Sequence, residues 1–219
     1  AEGNLARIRE LITPRTKVIQ VSHVTCTDGL VFPVTAIAAL ARSRGIWFHI
    51  DGAQSAGMIP VDLTAIGCDS YAFSGHKWLG GPHETGGLYI RRDRLEAVAP
   101  TGIGAYSGAL PHLPGEIKYF GAASRHEYGT RNAGLVAGLA EAVRLQEHLG
   151  RERIAAHGRE LAVMVHDGLS GVDGITVLTP RPAELRASMT TFRHVRAEAG
   201  QLFGYLRKEH GLRCRPVTE

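Results

Sequence analysis

Two segments of this chain place chemically reactive side chains directly after apolar stretches. Lys77 comes shortly after the apolar stretch 69–73, and Asp51 follows the apolar stretch 46–50. Because open α/β sheets bind ligands just beyond the carboxyl ends of their strands, a lysine at this position is a candidate nucleophile. Either segment alone is ordinary, since loop lysines and turn-capping aspartates are common. The combination of the two segments predicts a reactive site.

The carboxylate of Asp51 and the amine of Lys77 are separated along the chain by one strand–helix unit. A carboxylate in so apolar a context needs a cationic or hydrogen-bonding partner, because burial disfavours its charge. A protonated heterocycle is such a partner. Pyridoxal phosphate enzymes need a lysine that forms a Schiff base and an aspartate that keeps the pyridinium nitrogen charged, so that the ring acts as an electron sink. The pair therefore predicts pyridoxal 5'-phosphate as the cofactor.

The elements that must position these two residues alternate between strand and helix patterns. A first helical pattern ends at Pro14, and a second begins at Pro33 and ends at Gly45. Strand patterns occur at 17–22, 46–50, 69–73 and 88–90. This alternation predicts an α/β fold over residues 1–98, with a mostly parallel sheet flanked by helices.

The second half of the chain has a different pattern. Residues 100–128 are rich in glycine and proline without a sustained period, which is typical of a loop that borders a site or a subunit contact. Helices are predicted at 132–149, 151–169 and 198–210, and strands at 175–178, 189–192 and 212–217. The sequence thus predicts a large domain over residues 1–150 and a small α+β domain over residues 151–219.

Composition and charge narrow the class of protein. The 219 residues are 44% hydrophobic, which suffices for a sizeable core, and no apolar run is long enough to span a membrane. The first residues also lack the pattern of a signal peptide. The net charge of +4 comes without aromatic interleaving or a groove-reading motif, which argues against nucleic-acid binding.

The cysteines and histidines indicate a reducing compartment and no metal site. Cys26, Cys68 and Cys214 are odd in number and far apart, which suits the cytoplasm better than a disulfide framework. The eleven histidines include no pair at helical metal-binding spacing beside a carboxylate. The sequence therefore predicts a cytoplasmic protein without a bound metal.

Both reactive segments resemble motifs of the class V aminotransferases, a family of fold-type I pyridoxal phosphate enzymes that includes cysteine desulfurases and isopenicillin N epimerase-like proteins. Asp51-Gly-Ala-Gln54 is similar to the family's Asp-x-x-Gln, which implies Asp51 on the pyridine nitrogen and Gln54 near the phenolic oxygen. Ser74-Gly-His-Lys77 is similar to its Ser-x-His-Lys. This match implies Ser74 and His76 at the cofactor phosphate and Lys77 as the Schiff-base lysine. The resemblance covers nearly the whole chain.

A third segment, Glu127-Tyr128-Gly129-Thr130, resembles the Gly-Thr segment of the same family. The resemblance implies that Thr130 donates to the phosphate of the neighbouring subunit's cofactor. It therefore implies a homodimer with shared active sites, acting on a small amino-acid substrate. A simple turn is the alternative interpretation of Gly129-Thr130.

Two departures from the family pattern concern completeness and a thiol. Family members have a long N-terminal part and a C-terminal arginine that holds the substrate carboxylate, and both lie outside these 219 residues. The chain thus resembles the middle and later part of such an enzyme. Cys26 stands where desulfurase-like relatives often carry asparagine. The substitution places a small thiol near the cofactor, or else Cys26 is an inert buried residue, which is the interpretation that we favour.

Hypotheses of three classes follow. The first is a pyridoxal phosphate enzyme that carries out transamination, epimerisation or carbon–sulfur lysis. The second is a catalytically inactive or fragmentary relative that retains the fold for assembly. The third, a phosphate- or nucleotide-binding domain, lacks a G-x-G-x-x-G or P-loop fingerprint.

The sequence also predicts that the protein is not a cysteine desulfurase. Relatives of that type carry a mobile persulfide-forming cysteine in a His-Cys stretch shortly after a late strand. The corresponding strand, expected at 212–215, continues as Pro216-Val217-Thr218-Glu219, without histidine or cysteine. Cys214 is expected within that strand, where a fixed thiol is commoner than a swinging nucleophile.

Overall fold

A computed structural model describes residues 2–108 and 118–217. In its first half, β1 (Val18–Ser22), β2 (Trp47–Asp51), β3 (Ser70–Ser74) and β4 (Gly86–Ile90) form one sheet in that order. The first three strands are parallel, and β4 runs antiparallel to β3. The predicted α/β class with a mostly parallel sheet is thereby confirmed.

Three helices accompany this sheet: α1 (Glu2–Leu11), α2 (Val34–Ser43) and α3 (Leu63–Ile66). The short α3 has well-defined ends because its flanking residues satisfy its backbone. The carboxylate of Asp62 accepts hydrogen bonds from two backbone amides of the first turn, and Gly67 ends the helix with a φ of 72°. α3 thus leads the chain directly back to the start of β3.

The core lies between these helices and one face of the sheet. Its buried residues alternate along the strands, and they include Ile19, Phe48, Ile50 and Tyr71. The residues between them, such as Val18, Trp47 and His49, point to the opposite face. We call this the open face, because Val18 and Leu88 on it are 55% and 50% exposed, although Arg94 lies over the ring of Trp47.

The second half contains the long helices α4 (Ala133–Leu149) and α5 (Arg151–Ser170), then β5 (Ile175–Val177), β6 (Phe192–His194) and α6 (Ala199–His210). β5 and β6 form a separate antiparallel pair. The side chain of Asn132 caps the start of α4, and Gly150, with a φ of 87°, separates α4 from α5. Two 3₁₀ helices, Arg92–Ala97 and Ala123–His126, lie in the connection between the halves.

Contacts link the two halves across the predicted domain boundary at Gly150. The amide of Val31 donates to the carbonyl of Leu185 at 2.9 Å. Val24, Met58 and Ala187 share a small buried cluster. The division into residues 1–150 and 151–219 stays a prediction.

None of the helices within 2–108 and 118–217 combines the length and apolar character that crossing a membrane requires.

Three local predictions are wrong. The strand expected at 189–192 forms later, at Phe192–His194, and no strand forms at 212–217, where Cys214 is exposed. A lone segment without a neighbouring strand cannot satisfy its backbone groups as a strand. Cys26 is exposed instead of buried, because it lies at the tip of a turn closed by the side chains of Thr25 and Asp28. Residues 109–117 of the predicted irregular segment lie outside the described residues.

Candidate functional site

Asp51 is the last residue of β2, and its carboxylate is held at both oxygens. Ser22, its neighbour at the end of β1, donates its hydroxyl to Oδ2 at 3.2 Å, and the amide of Ala53 donates to Oδ1 at 2.9 Å. These two hydrogen bonds fix the orientation of the carboxylate. By the alternation along β2, Asp51 lies on the open face with Trp47 and His49.

His23 lies directly after β1 and beside Asp51. Its amide donates to the carbonyl of Asp51 at 2.9 Å, and the residue is only 7% exposed. Burial lowers the pKa of His23 from 6.5 to about 4, so the imidazole is neutral near pH 7. Its Nδ1 is buried and has no hydrogen-bond partner among the described residues.

A second imidazole, that of His49, lies two residues before Asp51 on the same face. Its Nδ1 is 2.8 Å from the hydroxyl oxygen of Ser70, which also accepts the indole N–H of Trp47 at 2.9 Å. Burial lowers the pKa of His49, and the charge of Asp51 opposes this shift. Because the imidazole of His49 favours the neutral form, it does not neutralise the charge of Asp51.

Lys77 lies in a loop that begins where β3 ends, at Ser74. The loop is tightly folded on itself: the amide of Gly75 donates to the carbonyl of Thr85 at 2.7 Å, and the amide of Gly81 donates to the carbonyl of Gly75 at 2.8 Å. A Cβ atom at Gly75 would lie 2.3 Å from Oγ1 of Thr85, so only glycine fits there. The backbone around the half-buried Lys77 is therefore fixed.

A hydrogen bond joins the Lys77 loop to the Asp51 segment. The indole N–H of Trp78 donates to Oε1 of Gln54 at 2.9 Å. Because an indole nitrogen is a donor only, this bond fixes the orientation of the amide and leaves the NH₂ group of Gln54 as the end offered to a ligand. The two loops also touch through backbone, since a Cβ at Gly57 would lie 2.5 Å from the amide nitrogen of Leu79.

Helix α4 braces the same loop from the other side. Nε2 of Gln146 donates to the carbonyl of Trp78 at 2.9 Å. Leu139 packs so closely that its Cδ1 would lie 2.8 Å from a Cβ at Gly75. His76 is exposed, and its ring centroid is 5.5 Å from that of His83. The structure thus brings Asp51, Gln54, Ser74, His76 and Lys77 into two adjoining loops at one edge of the sheet.

Thr130 lies apart from these loops. It follows the 3₁₀ helix Ala123–His126, its side chain is exposed, and its Oγ1 is 3.3 Å from the hydroxyl of Tyr106. Within the described residues, its side-chain hydrogen bonding does not reach the Asp51 or Lys77 loops. Of the predicted site residues, it is therefore the one that a single chain leaves separate.

A surface groove of about 640 Å³ does not contain Lys77. It lies on the open face and is lined mainly by apolar side chains, including Val18, Trp47, Leu88 and Ile90. Such a lining offers little to a phosphate or a carboxylate. The reactive side chains therefore mark the candidate site better than this groove does.

Sequence reasoning missed three contributors to this site: Ser22, His23 and Trp78. The position of Ser22 could have been recognised in the sequence. Ser22 is the last residue of a strand, just as Asp51 is the last residue of the neighbouring strand. His23 also follows that strand directly. The contact of Trp78 with Gln54 spans 24 residues and has no local signature.

Comparison with known proteins gives consistent matches over most of the chain. The family model described as aminotransferase class-V matches residues 2–215. The isopenicillin N epimerase of Amycolatopsis lactamdurans is 36% identical over 185 residues, covering 82% of this chain and 46% of that protein. The probable cysteine desulfurase 2 of Mycobacterium leprae is 37% identical over 178 residues, covering 81% and 42% respectively.

The solved structures include the cystine C–S lyase C-DES in complex with its product cysteine persulfide. It aligns with a TM-score of 0.87 and 27% identity over 98% of this chain and 57% of that one. A C-DES mutant with glycine covalently linked to the PLP cofactor aligns with a TM-score of 0.86 and 26% identity, over 97% and 56%. The chain spans about half the length of the curated relatives it matches.

Proposed function

We propose, from the premise that this chain belongs to the class V aminotransferase family, that it forms part of a pyridoxal phosphate-dependent enzyme acting on an amino acid. Lys77 binds the cofactor covalently in this proposal. The observation that carries it is the hydrogen bond between Trp78 and Gln54, which ties the loop of Lys77 to that of Asp51. The PLP-linked structure of C-DES supports the choice of cofactor.

The donor set of the site suits this cofactor. The carboxylate of Asp51, fixed by Ser22 and Ala53 near the neutral imidazole of His49, is suited to hold the proton on a pyridine nitrogen. The free NH₂ group of Gln54 can donate to a phenolic oxygen. Ser74 and His76 offer donors for a phosphate. When bound, pyridoxal phosphate supplies an electron sink that stabilises negative charge at the substrate Cα.

The remaining chemistry falls to Lys77. Freed by the substrate amine, the Nζ of Lys77 would accept the Cα proton as a general base. Protonation of Cα from the opposite face by a second donor would give epimerisation, protonation at a carbon of the cofactor would give transamination, and loss of a sulfur substituent at Cβ would give carbon–sulfur lysis. We propose this set of reactions, with the inactive or fragmentary relative as the alternative.

Borohydride reduction tests the role of Lys77. Full-length protein loaded with pyridoxal phosphate is reduced, digested and mapped by mass spectrometry, and we expect the phosphopyridoxyl adduct on Lys77. Lys77→Ala is the control and should lose the adduct. An adduct on Lys17, Lys118 or Lys208 contradicts the assignment. A protein that shows no visible absorbance band with the cofactor supports the inactive alternative.

We also propose a homodimer in which Thr130 donates to the cofactor phosphate of the partner subunit. Its separation from the Lys77 loop supports this, as does its exposure. Mixing Lys77→Ala and Thr130→Ala protomers tests it, because a heterodimer would pair one doubly damaged site with one intact site. Activity should partly return. No recovery despite confirmed subunit exchange indicates that Thr130 serves its own subunit.

We further propose that the reaction proceeds without a protein persulfide, in a reducing cytoplasm that suits the free thiols of Cys26, Cys68 and Cys214. Cys26 and Cys214 are both exposed, so both are accessible to a thiol trap. Incubation of the full-length enzyme with cysteine, followed by alkylation, should leave both thiols unmodified by sulfur. A cysteine-dependent persulfide on either one overturns the proposal.

A further inference from the structure

We infer that Arg125 is a positioning residue that holds Thr130 in place for the cofactor phosphate. Arg125 lies five residues before Thr130 and is only 5% exposed. The inference rests on the proposed role of Thr130, and it adds a residue that no sequence motif of the site contains.

The guanidinium of Arg125 binds two separate parts of the chain. Its Nε donates to the carbonyl of Phe120 at 2.7 Å, and its Nη2 donates to Oε1 of Glu96 at 2.9 Å. It also lies 5.7 Å from the ring centroid of Tyr119. The hydrogen bond from Arg125 lowers the pKa of Glu96, so the carboxylate is charged near neutral pH.

These contacts connect the Thr130 segment to the strand that supports Lys77. Glu96 belongs to the 3₁₀ helix Arg92–Ala97, which directly follows β4. β4 pairs with β3 along its whole length, and β3 leads into the Lys77 loop. A shift of Arg125 would therefore move Thr130 relative to the scaffold of the lysine.

A second set of contacts holds the segment close to Thr130 itself. Oγ of Ser107 donates to the carbonyl of Glu127 at 3.4 Å, and a Cβ at Gly104 would lie 1.8 Å from the carbonyl oxygen of Tyr128. The segment is thus pressed against 104–107 on one side and tied through Arg125 on the other. Removing the arginine leaves only one of these two restraints.

Only arginine can make this set of contacts. Its planar fork reaches a carbonyl and a carboxylate at the same time, whereas a lysine ammonium is a single point of donation on a flexible stem. Because the side chain is buried, Arg125→Met removes the charge at similar volume and avoids an unpaired buried cation. Arg125→Lys keeps the charge and loses the fork.

A double-mutant cycle on cofactor affinity tests the inference. In the full-length protein, the dissociation constant of pyridoxal phosphate is measured by absorbance titration for wild type, Thr130→Ala, Arg125→Met and the double variant, with thermal melting as a check of folding. Loss of a hydrogen bond to a charged group should weaken binding by about 10-fold in each single variant. Because Arg125 acts through Thr130, the dissociation constant of the double variant should exceed that of Thr130→Ala by no more than about 3-fold.

Two further variants keep the test decisive if Arg125→Met folds poorly. Glu96→Gln leaves the arginine in place and alters an exposed residue, and we expect it to weaken cofactor binding by about 3-fold. Arg144→Met, on the exposed surface of α4, is the matched control and should not change the affinity.

The outcomes separate this inference from the proposed function. Two results would overturn the inference if Thr130→Ala weakens cofactor binding. Either the losses of cofactor affinity in Arg125→Met and Thr130→Ala add in the double variant, or Arg125→Met and Glu96→Gln bind the cofactor as tightly as wild type. The role of Thr130 stands in both cases. If Thr130→Ala binds the cofactor as tightly as wild type, both the role of Thr130 and the inference fail. The adduct on Lys77 is unaffected by either result.

Discussion

The two faces of the four-stranded sheet differ in what covers them and in what they carry. On the covered face, Phe48 and Ile50 are 1% and 0% exposed beneath the helices. On the open face, Leu88 is 50% exposed, and the strand that contributes His49 there ends in Asp51. Successive residues of β2 thus alternate between the core and the face that carries the candidate site. Substitutions one position apart should therefore separate loss of stability from loss of activity.

The largest expected effect is on the open face, at Asp51. Asp51→Ala removes the counter-charge from the pyridine nitrogen and should lower kcat/KM by on the order of 10²- to 10³-fold, with Asp51→Glu intermediate. The thermal midpoint should change little. Asp62→Ala, which removes a helix cap far from the lysine, is the matched control: it should cost about 1 kcal/mol of stability and leave turnover intact. Turnover of Asp51→Ala within a few-fold of wild type would show that the carboxylate does not serve the cofactor.

The covered face should respond in stability instead. Phe48→Ala leaves a cavity in the core and should lower the free energy of unfolding by about 3–5 kcal/mol. Leu88→Ala, on the open face, should cost less than about 1 kcal/mol. Urea unfolding of both variants measures the difference. Equal losses of stability would mean that the open face is covered in solution. The difference in exposure between the two faces would then hold only for the isolated chain.

His23, which is buried directly after β1, makes the stability of the protein depend on pH. Because its folded pKa is lowered from 6.5 to about 4, the unfolded chain binds the proton first as the pH falls. Its contribution to stability is therefore fully present above about pH 6.5 and decreases towards pH 4, by up to about 3 kcal/mol. His23→Gln should flatten the urea midpoint between pH 7.5 and pH 5, whereas the exposed His148→Gln should not. A wild-type midpoint independent of pH in this range contradicts the burial of a neutral imidazole.

The smallest expected effect is a gain in stability within the Lys77 loop. Glu84 has a φ of 64°, the left-handed region that favours glycine. Glu84→Gly should raise the free energy of unfolding by about 1 kcal/mol, because it relieves this strain. Glu84→Ala retains the strain and serves as the control. Equal stability of the two variants would mean that the loop tolerates this backbone without cost.

Most of the fold could be predicted from the sequence, because its elements have strong local signals. Pro33 and Gly45 bound α2, and the apolar stretch around Phe48 is long enough to mark a buried strand. The positions of Asp51 and Lys77 at the ends of such strands could be predicted as well, whereas their roles stay a prediction. These features depend on neighbours in sequence, and hence on information that a single chain contains.

What could not be predicted depends on partners distant in sequence. The stretch 212–217 has the composition of a strand, but a strand also requires a neighbour, and no local pattern reports whether one is present. The exposure of Cys26 depends on a turn closed by side chains on both sides of it. Whether Nδ1 of His23 finds a hydrogen-bond partner, which it does not among the residues that the structure describes, depends on how loops pack around it. In each case the tertiary environment decides, and not the propensity of the segment.

The positions of the two tryptophans give the molecule a built-in optical probe. Trp78 hydrogen-bonds to Gln54 in the loop of Lys77, whereas Trp47 lies on the open face. Excitation of Trp78 should pass to any bound chromophore that absorbs in the near ultraviolet or visible, so its emission reports occupancy of the site. In a Trp47→Phe variant, the emission of Trp78 is the only tryptophan signal of these 219 residues. Cofactor exchange could then be followed in real time by fluorescence quenching, without a label and without turnover.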